Sequence, residues 1–261
     1  MDSVILAFAN QKGGVGKTTS TVNVAACLGH LGYKTLLVDS DPQGNASTGV
    51  GIQKKGLRKT LYEVLTEQCT AEEAILPTEY ANLSVLPATI SLASAEFDLI
   101  EREKSAAALK YALEPLKSQY DFSLIDCPPS LGLLTVNALC AATGVVIPMQ
   151  CEYFALEGLA QLMMTVRRIK QSHNPTLTIG GILITMYDGR LNLSAQVLAE
   201  LKKYYADKLF STTIPRAVKL SEAPGFGTPI NYHDKYSKAC HAYTAATEEV
   251  LTRIGIPLNK D

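Results

Sequence analysis

The sequence predicts an α/β protein: a doubly wound, mostly parallel sheet with helices on both faces. Three observations predict it. Apolar runs of strand length alternate with longer helical patterns along nearly the whole chain. Most of those runs are almost continuous in Val, Ile and Leu, as parallel strands covered on both faces require. The first run also leads through a glycine-rich loop straight into a helix, the opening of a strand–helix–strand unit with a right-handed crossover.

Taken in order, Val4–Ala9 reads as the first strand and Thr18–Leu31 as the helix behind it. Thr35–Asp39 is the second strand. The stretch Gly49–Thr70 is polar, and basic at its start (Lys54, Lys55, Arg58, Lys59); it reads as a surface excursion with a short helix near Leu61–Thr66. Strands follow at Leu83–Pro87, Phe122–Asp126, Gly144–Met149 and Thr178–Thr185. Helices follow at Ser105–Lys117, Leu133–Ala141, Leu156–Ser172 and Ser194–Tyr205. Tyr236–Ile254 reads as a terminal helix, with Gly255 and Pro257 beyond its end. With 261 residues and 47% hydrophobic content the chain can bury one substantial core, and it reads as a single domain over 1–261.

Composition excludes more than it selects. Lys and Arg number 24 against 25 Asp and Glu, so a nucleic-acid partner would need a local basic patch. Six cysteines lie apart, with no C-x-x-C pair; reduced, mostly buried thiols are the expectation. No signal peptide is visible, and no apolar run approaches the roughly 20 residues of a membrane span. The expected location is the cytoplasm.

The chemistry should lie at the carboxyl ends of the strands. After the first strand comes Lys12-Gly13-Gly14-Val15-Gly16-Lys17-Thr18-Thr19. It fits a phosphate-binding loop less its first glycine, since Asn10 or Gln11 stands near that place. Glycines let backbone N–H groups turn inward around a phosphate, and the helix N-terminus adds partial positive charge. Lys17 should reach the β- and γ-phosphates, and the Thr18 hydroxyl should bind Mg²⁺. The second strand delivers Asp39 and Asp41 in Leu36-Leu37-Val38-Asp39-Ser40-Asp41-Pro42-Gln43-Gly44-Asn45. Those carboxylates suit water positioning and metal coordination, or equally a turn and a cap. Phe122–Asp126 ends in an aspartate suited to Mg²⁺. Gln150, after Gly144–Met149, either lines the site or caps its strand.

The early lysine is the departure from the common loop. Lys12 within K-G-G-x-G-K-[ST] resembles the deviant Walker A signature of the ParA/MinD/nitrogenase-iron-protein superfamily of P-loop ATPases. That resemblance implies that Lys12 reaches a partner subunit's phosphates, a charge supplied in trans. The V-D-x-D-P-Q-G-N run resembles the ParA-type segment in which Asp41 orients the attacking water and Asp39 supports the magnesium shell. Similar segments recur at Leu124–Gly132, Ile147–Gly158, Thr185–Leu193 and Ile214–Pro229, so the likeness to the chromosomal ParA (Soj) branch spans nearly the whole chain. It implies an ATP- and Mg²⁺-dependent homodimer that binds duplex DNA non-specifically on the nucleoid. It further implies hydrolysis stimulated by a ParB-like DNA-binding protein, in the service of DNA segregation. Arg190 and Lys219 match positions implicated in DNA contact; Arg216 is a further candidate, and Arg167, Arg168 and Lys170 form a weaker group that also suits a solvated helix face. Pro215 should contact adenine, with Ala217 leaving base contacts there to the backbone. The MinD-type alternative needs a basic amphipathic tail, and Val250–Leu258 has one basic residue and is interrupted by Gly255 and Pro257.

Overall fold

The computed structural model of the protein describes residues 3–100 and 105–257. Its first half runs β1 (Val4–Phe8), α1 (Lys17–His30), β2 (Thr35–Asp39), α2 (Asn45–Gly49), α3 (Leu61–Leu65), α4 (Ala71–Ala74), β3 (Leu76–Pro77), β4 (Leu83–Leu86), α5 (Ala95–Ile100), α6 (Ala108–Leu113) and β5 (Phe122–Asp126). The second half runs α7 (Leu133–Ala141), β6 (Gly144–Met149), α8 (Ala155–Ser172), β7 (Thr178–Tyr187), α9 (Asn192–Tyr205), β8 (Leu209–Pro215), α10 (Val218–Glu222), α11 (Ile230–His233) and α12 (Lys238–Arg253).

Among the described residues the strands form one eight-stranded sheet in the order β3-β4-β2-β5-β1-β6-β7-β8. All neighbours are parallel except β3 on β4. β1 lies inside the sheet, so its two faces feed two cores. Ile5 and Ala7 look into one core with Leu36, Val38, Ile125 and Val145, covered by α3 and α5 to α9. Leu6 and Phe8 look into the other with Leu37, Leu124 and Val146, covered by α1 and α12. Burial on both faces explains why these strands read as unbroken apolar runs.

The bounds of β2, β5 and β6 are those the sequence predicts. Two strands differ. β3 is a two-residue edge strand, too short to carry a pattern. In β8, buried Leu209, Phe210 and Ile214 are interrupted by exposed Ser211, as suits the sheet's far edge, and its hydropathy is accordingly broken. The predicted helix Ser105–Lys117 is really a 3₁₀ turn, α6 and a second 3₁₀ turn, Glu114–Ser118. Pro115 lacks an N–H and clashes with the preceding turn, so the α-helix cannot pass it.

α12 closes the second core. Tyr243 is fully buried against α1, with its hydroxyl 3.2 Å from Ser20 Oγ. Ser237 caps the helix by accepting from Cys240 N at 3.1 Å. Tyr243→Ala is expected to destabilise the protein by about 3–5 kcal/mol through the cavity it opens, and Tyr243→Phe by only about 1 kcal/mol, one hydrogen bond. Urea unfolding of the two variants checks the difference.

Candidate nucleotide site

The loop after β1 is braced before it turns. Gln11 stands at the place of the missing glycine, and Asn10 before it braces the turn: its Nδ2 donates to Pro148 O at 2.8 Å, and its Oδ1 accepts from Lys12 N at 3.0 Å. Gly16 sits at φ 81°, a left-handed conformation that a side chain would strain, and hands the chain to α1 without a side-chain cap. The first-turn N–H groups of α1 are therefore left to a ligand. Lys17 opens that turn at 6% exposure and donates from Nζ to Lys12 O at 3.1 Å. Burial pushes its pKa down, opposed by the charges of Asp126, Cys127 and Asp41. Thr18 and Thr19 follow, half-buried.

Neighbouring strands hold the loop from the other side. Thr185 Oγ1, on β7, lies 2.7 Å from Val15 O and 3.1 Å from Met149 O. Gln150 Nε2 donates to Gly14 O at 2.7 Å and lies 3.2 Å from Met186 Sδ. Gln150 therefore lines the loop. Lys12 behaves differently from Lys17: its ammonium leaves the loop and pairs with Glu152, and its side chain is 44% exposed.

Two carboxylates meet in register beneath this cradle, Asp39 at the end of β2 beside Asp126 at the end of β5, both fully buried. Asp39 Oδ2 accepts from Ser47 N and Ser47 Oγ, each at 2.7 Å, and its Oδ1 accepts from Asp41 N at 3.3 Å. It thereby anchors α2. Asp126 Oδ1 accepts from Thr21 Oγ1 at 3.2 Å, and the nearby Thr18 hydroxyl acts to lower this carboxyl's pKa. Asp126 Oδ2 is buried with no protein partner. An unpartnered carboxylate oxygen beside a threonine hydroxyl suits a hard divalent cation. Burial pushes the Asp39 carboxyl up to about 6. Asp126 is pushed well above its ordinary value, by burial and by the Asp39 charge. Asp41 is 7% exposed and its Oδ1 accepts from Gln43 N at 2.9 Å.

The predicted cations gather in part. Tyr187 at the end of β7 lies in register with Pro215 at the end of β8. Arg190, in the loop beyond β7, is 88% exposed and grips Asp188 through Nε at 2.9 Å and Nη2 at 2.6 Å. Arg216 reaches the same corner, its Nη2 4.0 Å from Met186 Sδ, and acts on Asp188 electrostatically. Lys219, on α10, pairs with Glu222 at 2.9 Å. Arg167 and Lys170 instead line a groove with Thr178 and Ile179, at the opposite end of β7. A cavity of about 260 Å³ opens beside Thr18, Thr19 and Asn23 of α1, walled by Asn45 and Thr48 of α2 and by Leu220 and Pro224. Thr21, Ser47, Thr185 and Glu152 belong to the site without being singled out by the sequence; Glu152 and Thr185 lie in segments that resemble the ParA branch, but what each holds is set by contacts between elements.

A two-lysine phosphate loop over paired carboxylates at the centre of a parallel sheet defines a P-loop NTPase. A family model described as an AAA domain, AAA_31, matches residues 3–179. The chain is 51% identical to the sporulation initiation inhibitor protein Soj of Bacillus subtilis, over 94% of this chain and 97% of that one. It is 49% identical to the chromosome partitioning protein ParA of Myxococcus xanthus, over 95% and 88%. It is 48% identical to the chromosome-partitioning ATPase Soj of Treponema pallidum, over 96% and 98%. The protein belongs to the Soj/ParA family of chromosome-partitioning P-loop proteins. Among solved structures, cobyrinic acid a,c-diamide synthase of Mycobacterium smegmatis with a bound ATP analogue and magnesium superimposes with a TM-score of 0.87 at 35% identity, covering 99% of this chain and 100% of that one. The septum site-determining protein MinD of Pyrococcus horikoshii with Mg-ADP superimposes with a TM-score of 0.80 at 27% identity, covering 97% and 98%.

The raised carboxyls give a pH signature. Asp39 holds its proton to higher pH in the folded chain than in the unfolded one, so its contribution to stability is complete below the ordinary carboxylate pKa, about 4. It is lost as pH rises through about 6. Metal-free protein is expected to melt higher at pH 5 than at pH 7, and Asp39→Asn to flatten that dependence; calorimetric melts across the range measure both.

Proposed function

We propose that this chain is an ATP-dependent switch ATPase that dimerises around its nucleotide. In this reading it binds duplex DNA without sequence preference and segregates chromosomal or plasmid DNA with a ParB-like partner. The whole of 1–261 acts as one P-loop domain. The observation that carries the reading is the divergence of the two lysines. Lys17 is buried in its own cradle, whereas Lys12 leaves it for the surface. A cation so placed serves a phosphate presented from outside, by a second subunit, and couples catalysis to assembly.

Gly13, Gly14, Val15, Gly16, Lys17, Thr18 and Thr19 hold the phosphates, with Pro215 beside the base. Thr18 and Asp126 hold Mg²⁺, with Asp39 supporting them from behind; the bound metal neutralises phosphate charge. Asp41 orients the attacking water. Arg190, Arg216 and Lys219 meet DNA phosphates, exchanging a neighbouring carboxylate for a backbone anion. In this reading the protein works in the cytoplasm, on the nucleoid. A membrane role like that of MinD finds little support. The apolar residues of α12, Tyr243, Ala246 and Val250, are committed to the core, and among the described residues no helix is long and apolar enough to cross a membrane. Leu258, at the end of the tail weighed for that role, lies outside the described residues.

Lys17→Ala is expected to abolish ATP binding by calorimetry, and equal affinity would refute the phosphate-loop assignment. Asp41→Ala is expected to bind ATP and dimerise yet hydrolyse at least tenfold more slowly; normal turnover would remove Asp41 from the mechanism. Retention on duplex DNA is expected to require ATP, to ignore sequence, to weaken steeply with salt, and to fall in Arg190→Ala and Lys219→Ala. Binding to liposomes in place of DNA would replace this reading with a membrane one.

A further inference from the structure

We infer that Lys54 is a positioning residue for hydrolysis, clamping the turn that carries Asp41; this rests on the role proposed above for Asp41. Lys54 lies in the basic excursion beyond α2, outside the phosphate loop and the DNA-facing corner. Its Nζ turns back and donates to Gln43 O at 2.6 Å. Gln43 is then held at both ends, because its N–H donates to Asp41 Oδ1 at 2.9 Å. Gly44 N completes the turn by donating to Asp41 O at 2.8 Å.

Packing ties the same atoms together. Gly44 is left-handed, at φ 63°, and a Cβ there would lie 2.6 Å from Ala88 O and 2.7 Å from Lys54 Cδ. The lysine stem therefore lies flat on the glycine, and the turn is wedged between that stem and the chain beyond β4. Ile52, two residues earlier, donates from its N–H to Ser47 O at 3.0 Å and packs against the second core. Lys54 thus starts from a fixed point. A charge-assisted bond from a fixed base restricts the turn more than a neutral one would. The orientation of a catalytic carboxylate is sensitive to such restraint, since a displacement of about 1 Å can cost on the order of 100-fold in rate. Lys59, in the same excursion, pairs with Glu73 and points to a different duty.

The test is steady-state ATP hydrolysis by the full chain with its nucleotide and magnesium. Lys54→Met keeps the stem on Gly44 and removes the ammonium. It is expected to lower kcat by about tenfold, within the range that loosened positioning allows, while KM for ATP and ATP-driven dimerisation stay within about twofold. Lys54→Arg is expected to restore most of the rate. In an Asp41→Ala background, Lys54→Met is expected to add no further loss, as two residues acting through one element should. A wild-type kcat in Lys54→Met, a parallel fall of kcat, ATP affinity and melting temperature that Arg does not restore, or a full extra loss in the double variant would each overturn the assignment. If Asp41→Ala is slow and Lys54→Met is normal, the Lys54 assignment fails alone. If Asp41→Ala itself turns over normally, the Asp41 role fails and takes the Lys54 assignment with it.

Discussion

Everything in this molecule turns on the register in which β1, β2 and β5 end together. Phe8 lies beside Asp126, and Asp126 beside Asp39. Two carboxylates are thereby taken out of water at one point, an arrangement whose desolvation is costly unless it is compensated. The surroundings compensate in part. Ser47 and the Asp41 N–H serve Asp39, Thr21 serves Asp126, and the Lys17 charge acts on Asp126. One oxygen of Asp126 is left over. Apolar residues at both positions would make a quieter sheet, but would leave nothing for a metal–phosphate ligand to complete.

The same register carries the site outward. The loop's carbonyls at Gly14 and Val15 are held by Gln150 and Thr185, which extend β6 and lie on β7. Met186, next along β7, takes a left-handed conformation at φ 49° and touches both Gln150 and Arg216. The chain from phosphate loop to the cationic corner is thus a short series of contacts, each a few ångströms long. Three of the outward-facing cations rest on a carboxylate from their own chain: Lys12 on Glu152, Arg190 on Asp188, Lys219 on Glu222. The two lysine pairs are single exposed contacts and weak, whereas Arg190 grips Asp188 through two nitrogens and is the strongest of the three.

Where local pattern decides structure, the sequence is an accurate guide. The central strands are buried on both faces, so their apolar runs announce them, and β2, β5 and β6 carry the predicted bounds. β3 and β8 lie at the sheet's edges, where partial exposure breaks the run that would mark them. The helix predicted over Ser105–Lys117 shows the limit of periodicity: the spacing is helical, but one proline outweighs it. The phosphate loop was legible for a different reason. Its glycines and lysines act through backbone conformation and reach within a few residues, so their spacing is itself the geometry.

The amino-acid order alone determines a parallel α/β sheet with a two-lysine phosphate loop, and puts Asp39, Asp41 and Asp126 at strand ends. Tertiary structure alone decides how those acids differ. It closes Asp39 onto Ser47, leaves Asp126 with an open oxygen, turns Lys17 inward and Lys12 outward, and lays Lys54 across the Asp41 turn. These choices are made by single polar side chains, several of them far apart in sequence. Such contacts have no period to betray them, and exist only once the sheet has brought the strand ends together.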